Sequence, residues 1–199
     1  MMKLYQLRYL VLLISVILFY SCSQNKSDED STELYTFNKN LVGVEVSDVD
    51  LGIKFSPPLE WELMPSSLSK KMEMRNNPSD GFIYQPEYVF FNKSTGAVLS
   101  CGIVFSTDSL ASKNSVLNFY KGLLSIKYKD SNYSLSNFVH SRISFNHIKF
   151  DKENLTAHRI FFQNISGKII QLEYSGEKGS ISDLLPAIKA SIGTIRLLD

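Results

Sequence analysis

Two spacings run through the chain. Between residues 42 and 175 apolar and polar positions alternate in short runs bounded by Asn, Asp, Gly, Ser and Pro, the period of two expected of strands. Over residues 112–129, and again over residues 181–195, apolar positions return every third or fourth residue, the period of a helix lying on a core.

The runs at residues 42–46 and 51–55, separated by Asp48 and Asp50, predict an opening hairpin. Ser56-Pro57-Pro58 ends its second strand, because neither proline donates a hydrogen bond and Ser56 is driven into extended geometry. Trp61 follows that corner and is expected to plug one end of the core. Residues 65–74 predict a short helix with Leu68 and Met72 on one side, and residues 76–81 read as a loop.

Turns register two further hairpins. Residues 88–92 and 97–107 flank Lys93-Ser94-Thr95-Gly96, and residues 155–164 and 168–175 flank Ile165-Ser166-Gly167. A three-residue loop closing on a left-handed Gly would join each pair. In the second hairpin this sets Phe162 against Ile170, Ile160 against Leu172, Arg159 against Glu173 and His158 against Tyr174. One face is then apolar, and the other carries an exposed ion pair worth at most about 1 kcal/mol. In the first hairpin Cys101 falls opposite Val89, and both faces are apolar, as in a central strand covered on both sides.

Residues 133–150 read as strand with a bend near Asn146. The helix over residues 112–129 carries Val116, Tyr120, Leu123, Leu124 and Ile126 as its stripe, and Gly122 weakens it by about 1 kcal/mol. The last helix carries Ile181, Leu184, Leu185, Ile188, Ile192 and Ile195, with Ser182 or Asp183 as its cap. Pro186 then falls in the first turn, where a missing N–H costs little. The pattern amounts to an α+β fold over residues 41–199, an antiparallel β-sheet flanked by helices.

The first 21 residues do not belong to that pattern. Lys3 and Arg8 precede an apolar run from Tyr9 to Tyr20, 12 residues long, which is short of the ~20 that span a bilayer. Ser21 and Cys22 follow. The segment resembles the bacterial lipoprotein signal, whose Leu-Ala/Ser-Gly/Ala-Cys box reads here Phe19-Tyr20-Ser21-Cys22. The resemblance implies cleavage before Cys22, thioether attachment of a diacylglycerol to its sulfur and acylation of the freed amine. Two or three acyl chains make such attachment permanent, since each buried methylene contributes ~0.8 kcal/mol. An uncleaved anchor helix, or a secretory signal cut near Ser21, are the other readings of these residues.

Residues 22–40 read as an acidic, flexible tether, with Lys26 ahead of Asp28-Glu29-Asp30. This order resembles short signals that send some Gram-negative lipoproteins to the outer face of the outer membrane, and a plain acidic linker is the alternative. Ser23 and Gln24 stand where an Asp would mark inner-membrane retention.

Charge narrows the partners. The chain has 21 basic and 20 acidic residues, and loss of Lys3 and Arg8 leaves a mature form with a slight acidic excess. No nucleic-acid footprint exists in such a balance. With Cys22 acylated, Cys101 has no disulfide partner and is expected to be a buried, inert thiol.

The order of elements, the Phe55-x-x-Pro58-x-x-Trp61 corner and the closing Ser191-Ile192-x-x-Ile195 resemble the PsbP-like family, which includes extrinsic photosystem subunits and DcrB-type bacterial lipoproteins. The resemblance covers residues 42–198 and implies an α/β/α sandwich serving a larger assembly, with no catalytic constellation and no cofactor to carry over. His140, His147 and His158, at spacings of seven and eleven, are expected to be structural rather than metal ligands. Cys101 lies in no nucleophile motif. Phe82, Tyr84 and Tyr88, in or beside a loop, are the candidate partner contacts, the alternative being that they lid the sheet. The expected function is that of a non-enzymatic outer-membrane lipoprotein, held to the bilayer by Cys22 and assisting an envelope protein complex. A cell-surface module for a small ligand, glycan or metal, is the other class.

Overall fold

The computed structural model describes residues 35, 37–65, 81–107, 113–129 and 131–198, all within the compact unit Glu33–Asp199. The expected signal segment, Cys22 with most of the tether, nearly all of the 65–74 helix and the 76–80 loop lie outside these residues.

A short 3-10 turn, Lys39–Leu41, leads into β1 (Val46–Asp48), β2 (Ile53–Phe55) and β3 (Glu62–Leu63). Next come β4 (Phe82–Phe91), β5 (Val98–Ser106), the helix α1 (Lys113–Lys127), β6 (Asn132–His140) and β7 (Ile143–Lys152). The remaining elements are β8 (Leu155–Gln163), β9 (Ile169–Glu177), the helix α2 (Lys178–Ile192) and β10 (Arg196–Leu197). Two antiparallel sheets result, one ordered β1-β2-β10 and one ordered β3-β4-β5-β9-β8-β7-β6. The α+β expectation stands in this form.

The central strands β8 and β9 of the large sheet are buried through both faces. Ile160, Phe162, Leu172 and Tyr174 join one core cluster with Ile181, Ile188 and Ile192 of α2. Their neighbours Ala157, Phe161 and Ile169 join a second cluster with Tyr120 and Leu124 of α1. Alternation of side chains along a strand assigns successive residues to these two clusters. Trp61 closes the α2-side cluster, edge-on to Tyr174 with ring centroids 6.3 Å apart. Tyr35 also reaches that cluster, stacked on Phe138 at 4.0 Å.

The β8–β9 register is the expected one: Phe162 faces Ile170, Arg159 faces Glu173 and His158 faces Tyr174, with Gly167 at φ 80 closing the turn. The β4–β5 register differs from expectation by one residue, and Cys101 lies opposite Tyr88, not Val89. The reason is Asn92. Its side-chain oxygen accepts from Ser94 N at 3.0 Å and Thr95 N at 3.0 Å, and its own N–H donates to Ala97 O at 2.8 Å, so the loop holds four residues. A bulge at Glu87 then shifts the pairing from Pro86–Gly102 to Tyr88–Cys101. Bulges invert side-chain direction, which puts Phe82 and Tyr84 with the α1-side cluster and Tyr88 and Phe90 with the other.

Three further expectations are corrected. The strand reading of residues 133–150 breaks at Ser141-Arg142, both left-handed at φ 51 and 66, and not at Asn146. Pro186 sits well inside α2, which starts at Lys178 after Glu177, and neither Ser182 nor Asp183 caps it. The proline is tolerated because it lies on the exposed side, where the carbonyl it leaves unpaired meets water. Helix α2 stops at Ile192, and the chain turns through Gly193-Thr194 so that buried Ile195 leads into β10 beside β2.

Two glycines test this architecture in opposite directions. A Cβ on Gly102 would lie 2.0 Å from Gln85 O and 2.7 Å from Pro86 Cα, at the bulge. Gly102→Ala is expected to cost about 3 kcal/mol or more in urea unfolding, the scale of overpacking without relief. Gly122, within α1, meets nothing within 4 Å. Gly122→Ala is expected to stabilise by about 0.5–1 kcal/mol in the same measurement.

Candidate functional site

The small sheet and the segment before it line an open cavity of about 450 Å³. Phe37, Lys39, Glu45, Lys54, Ser56 and Arg196 contribute to its lining. β10 sets Arg196 directly opposite Lys54 on β2, two cations side by side on one face. The Arg196 guanidinium is held in place: Nη1 donates to Gly193 O at 2.9 Å and Ile195 O at 2.7 Å, and lies 3.1 Å from His140 Nε2. Lys54 Nζ reaches Glu45 Oε1 at 3.7 Å, a loose pair exposed on both sides. Below these groups Thr194 Oγ1 donates to Ser191 O and accepts from Ser56 N at 2.8 Å, while Ser191 Oγ donates to Ser56 O, so the floor is rigid and already hydrogen-bonded. Three cations against one carboxylate give a cavity suited to holding an anion.

The histidines separate. His140 belongs to the Arg196 end of this cavity, its Nε2 3.0 Å from Gly193 O. His147 and His158 meet on the α2-facing side of the large sheet, where β7 and β8 set them diagonally across one hairpin. Their rings stack at 5.2 Å, and His147 Nε2 lies 3.1 Å from His158 Nδ1, so one ring donates and the acceptor ring is neutral. Burial lowers His147 to about 3, with His158 and Lys149 adding to the effect. Burial also lowers His158 to about 4, helped by Lys149 and Lys189 and opposed by Asp151. The spacing of eleven hid this pair, because the left-handed Glu153 that turns β7 into β8 has no sequence signature.

Cys101 is a free, fully buried thiol whose pKa burial drives far up, which leaves no thiolate to react. Arg159 and Glu173 are not exposed as expected. They form a close pair, Nε to Oε2 at 2.6 Å, with side chains only 13% and 21% exposed, under the rings of Tyr128 and Phe150. α1 and its following turn cover this face, which the hairpin pattern alone could not show.

Phe82, Tyr84 and Tyr88 do not form one surface. The loop expected to hold them is strand from Phe82 onward. Phe82 is buried, 5.0 Å from the Tyr120 ring, and Tyr84 packs against the same cluster. Tyr88 faces the other way and donates to Asp48 Oδ2 at 2.8 Å. The exposed apolar side chains of this region are instead Ile83 and Phe105, paired across β4 and β5. Sequence does not single out Lys39, Lys54 and Arg196, since Lys54 and Arg196 meet only through the β2–β10 pairing and Lys39 joins them from the 3-10 turn.

No family model and no curated protein matches the chain. Among solved structures it is similar to LpqN of Mycobacterium tuberculosis, a protein involved in cell envelope biogenesis, with 15% identity and a TM-score of 0.53 over 78% of this chain and 90% of that one. It shares the LpqN fold. Cyanobacterial PsbP from Synechocystis is similar at 14% identity and a TM-score of 0.46, covering 83% of this chain and 99% of that one. The Saccharomyces cerevisiae Ran-binding protein Mog1p is similar at 8% identity and a TM-score of 0.45, covering 82% and 97%.

Two expectations follow from the buried charges. Glu173→Gln leaves Arg159 buried without its anion and is expected to cost about 3–5 kcal/mol in chemical unfolding, whereas Arg159→Met with Glu173→Leu is expected to recover most of that loss. The histidine pair has folded-state pKa values below the unfolded 6.5, so its stabilising contribution is complete above pH 6.5 and is lost as pH falls toward 4. Between pH 7 and pH 5 the protein is expected to lose about 3–4 kcal/mol more stability than a His147→Gln, His158→Gln variant, read from urea midpoints at each pH.

Proposed function

We propose that the chain is a bacterial envelope lipoprotein whose PsbP-like α/β/α domain, tethered by an acylated Cys22, serves as a non-enzymatic accessory or assembly subunit of an envelope complex at the outer membrane. The observation that carries the reading is the short apolar run closing on Ser21-Cys22, ahead of the polar stretch that holds Lys26 and Asp28-Glu29-Asp30. Similarity to the fold of LpqN supports an envelope role. The burial of both strand faces, one with each helix, supports the sandwich arrangement. Among the described residues no helix is long and apolar enough to cross a membrane.

The absence of enzymatic chemistry in this reading is supported by where the reactive groups lie. Cys101 is sealed in a strand, and His147 and His158 are engaged with each other away from the cavity. A second reading, the small-ligand module, is favoured by one observation, the cationic cavity at β2 and β10.

Cys22→Ala is expected to move the protein from the membrane pellet to the soluble envelope fraction and to abolish incorporation of labelled fatty acid. A variant that stays in the pellet with its signal cleaved would refute acylation. Whole-cell cross-linking is expected to trap one predominant protein neighbour, and a diffuse pattern would count against the assembly role.

A further inference from the structure

The β2–β10 pairing places Lys54 and Arg196 at directly opposed positions, an arrangement that costs stability unless an anion lies between the two cations. Among the described residues no carboxylate pairs with Arg196, and the one acid in the cavity, Glu45, reaches only Lys54, at 3.7 Å and in water. The fold nevertheless spends structure on Arg196. Two backbone carbonyls and His140 position its guanidinium, so little side-chain freedom remains to be lost when a ligand binds. Lys39, on the 3-10 turn, brings a third cation to the same space, and Phe37 gives it an apolar wall.

From this we infer that the cavity lined by Lys39, Lys54 and Arg196 is a binding site for a phosphoryl group carried on a small polar body. A tetrahedral dianion matches a net excess of two positive charges, and its oxygens suit both the Arg fork and the point charges of two lysines. The volume of about 450 Å³ exceeds what phosphate alone needs and admits a glycerol- or sugar-sized substituent beside Phe37. The phosphoryl group could belong to a soluble phosphomonoester or to a lipid headgroup. Binding goes beyond the accessory role and does not require acylation of Cys22.

The test uses the purified full chain at low ionic strength. Calorimetric titration with glycerol 3-phosphate is expected to saturate, and Lys54→Met or Lys39→Met to weaken it about tenfold each, the scale of one charge-assisted hydrogen bond. Arg196→Gln should weaken it at least as much, and because this residue also ties down the turn after α2, the two lysine variants keep the test independent of folding. Glu45→Gln is expected to tighten binding a few-fold by removing the competing carboxylate, an effect of opposite sign that damage to the fold would not produce. With the Cys22→Ala chain, which lacks the acyl anchor, co-sedimentation with phosphatidic acid vesicles, but not with phosphatidylcholine vesicles, in the absence of glycerol 3-phosphate binding assigns the phosphoryl group to a lipid, provided Lys54→Met abolishes it. The inference is overturned if neither probe binds saturably, or if the lysine variants bind as the parent does.

Discussion

The pairing of β8 with β9 is the constraint on which the rest of the structure depends. Both strands are covered on both faces, so each alternate residue already has its cluster: Ile160, Phe162, Leu172 and Tyr174 on the α2 side, Phe161 and Ile169 on the α1 side. A slip by one residue would exchange the two sets and drive Arg159 and Glu173 into the aliphatic layer. Asn164 guards against that slip. Its side chain accepts from Lys168 N at 2.9 Å, which closes the turn, and donates to Leu51 O at 2.8 Å, which docks the turn on the β1–β2 connection. The small sheet is therefore attached to the large one at the point where the register is set, and the position of the cavity follows from it.

How much of this was legible in the sequence depended on whether local chemistry or distant cover decided the outcome. Ile165-Ser166-Gly167 carried a turn with one natural geometry, and the whole β8–β9 register followed from it. Lys93-Ser94-Thr95-Gly96 looked alike, yet Asn92 captured two backbone N–H groups of the loop and moved the register by one residue. Ser141-Arg142 takes two left-handed residues that nothing in their identity advertises, and so the β6–β7 turn was invisible. For α2 the apolar period was correct from Ile181 to Ile192. Its start is obscured in sequence because the first turn lacks a capping side chain and Pro186 resembles an opening signal.

The chemistry was less legible than the fold for a related reason. Exposure of the Arg159–Glu173 pair is a property of α1 lying over it, and no hairpin pattern contains that information. Proximity of His147 and His158 depends on a turn that sequence did not reveal. The cations at β2 and β10 come from opposite ends of the chain and were each unremarkable singly. By contrast Cys101 is buried as its sequence context implies, because a thiol in an unbroken apolar strand needs no tertiary knowledge to place.

The distribution of polar groups separates those that serve the fold from those available for function. On the two covered faces of the large sheet Arg159 engages Glu173, His147 engages His158, Tyr174 engages Ser191 and Tyr120 engages Gln171, whereas the Trp61 indole N–H is buried without a partner. Such pairing is what burial demands, since an unpaired polar group in the interior costs more than its hydrogen bond contributes. On the three-stranded sheet burial makes no such demand at the cavity mouth, and there like charges are set face to face on adjacent strands. Folding has no use for that juxtaposition. An arrangement held by three polar contacts on Arg196 and yet unfavourable in itself is where sequence-encoded fold and function part, the kind of local conflict expected at a functional position.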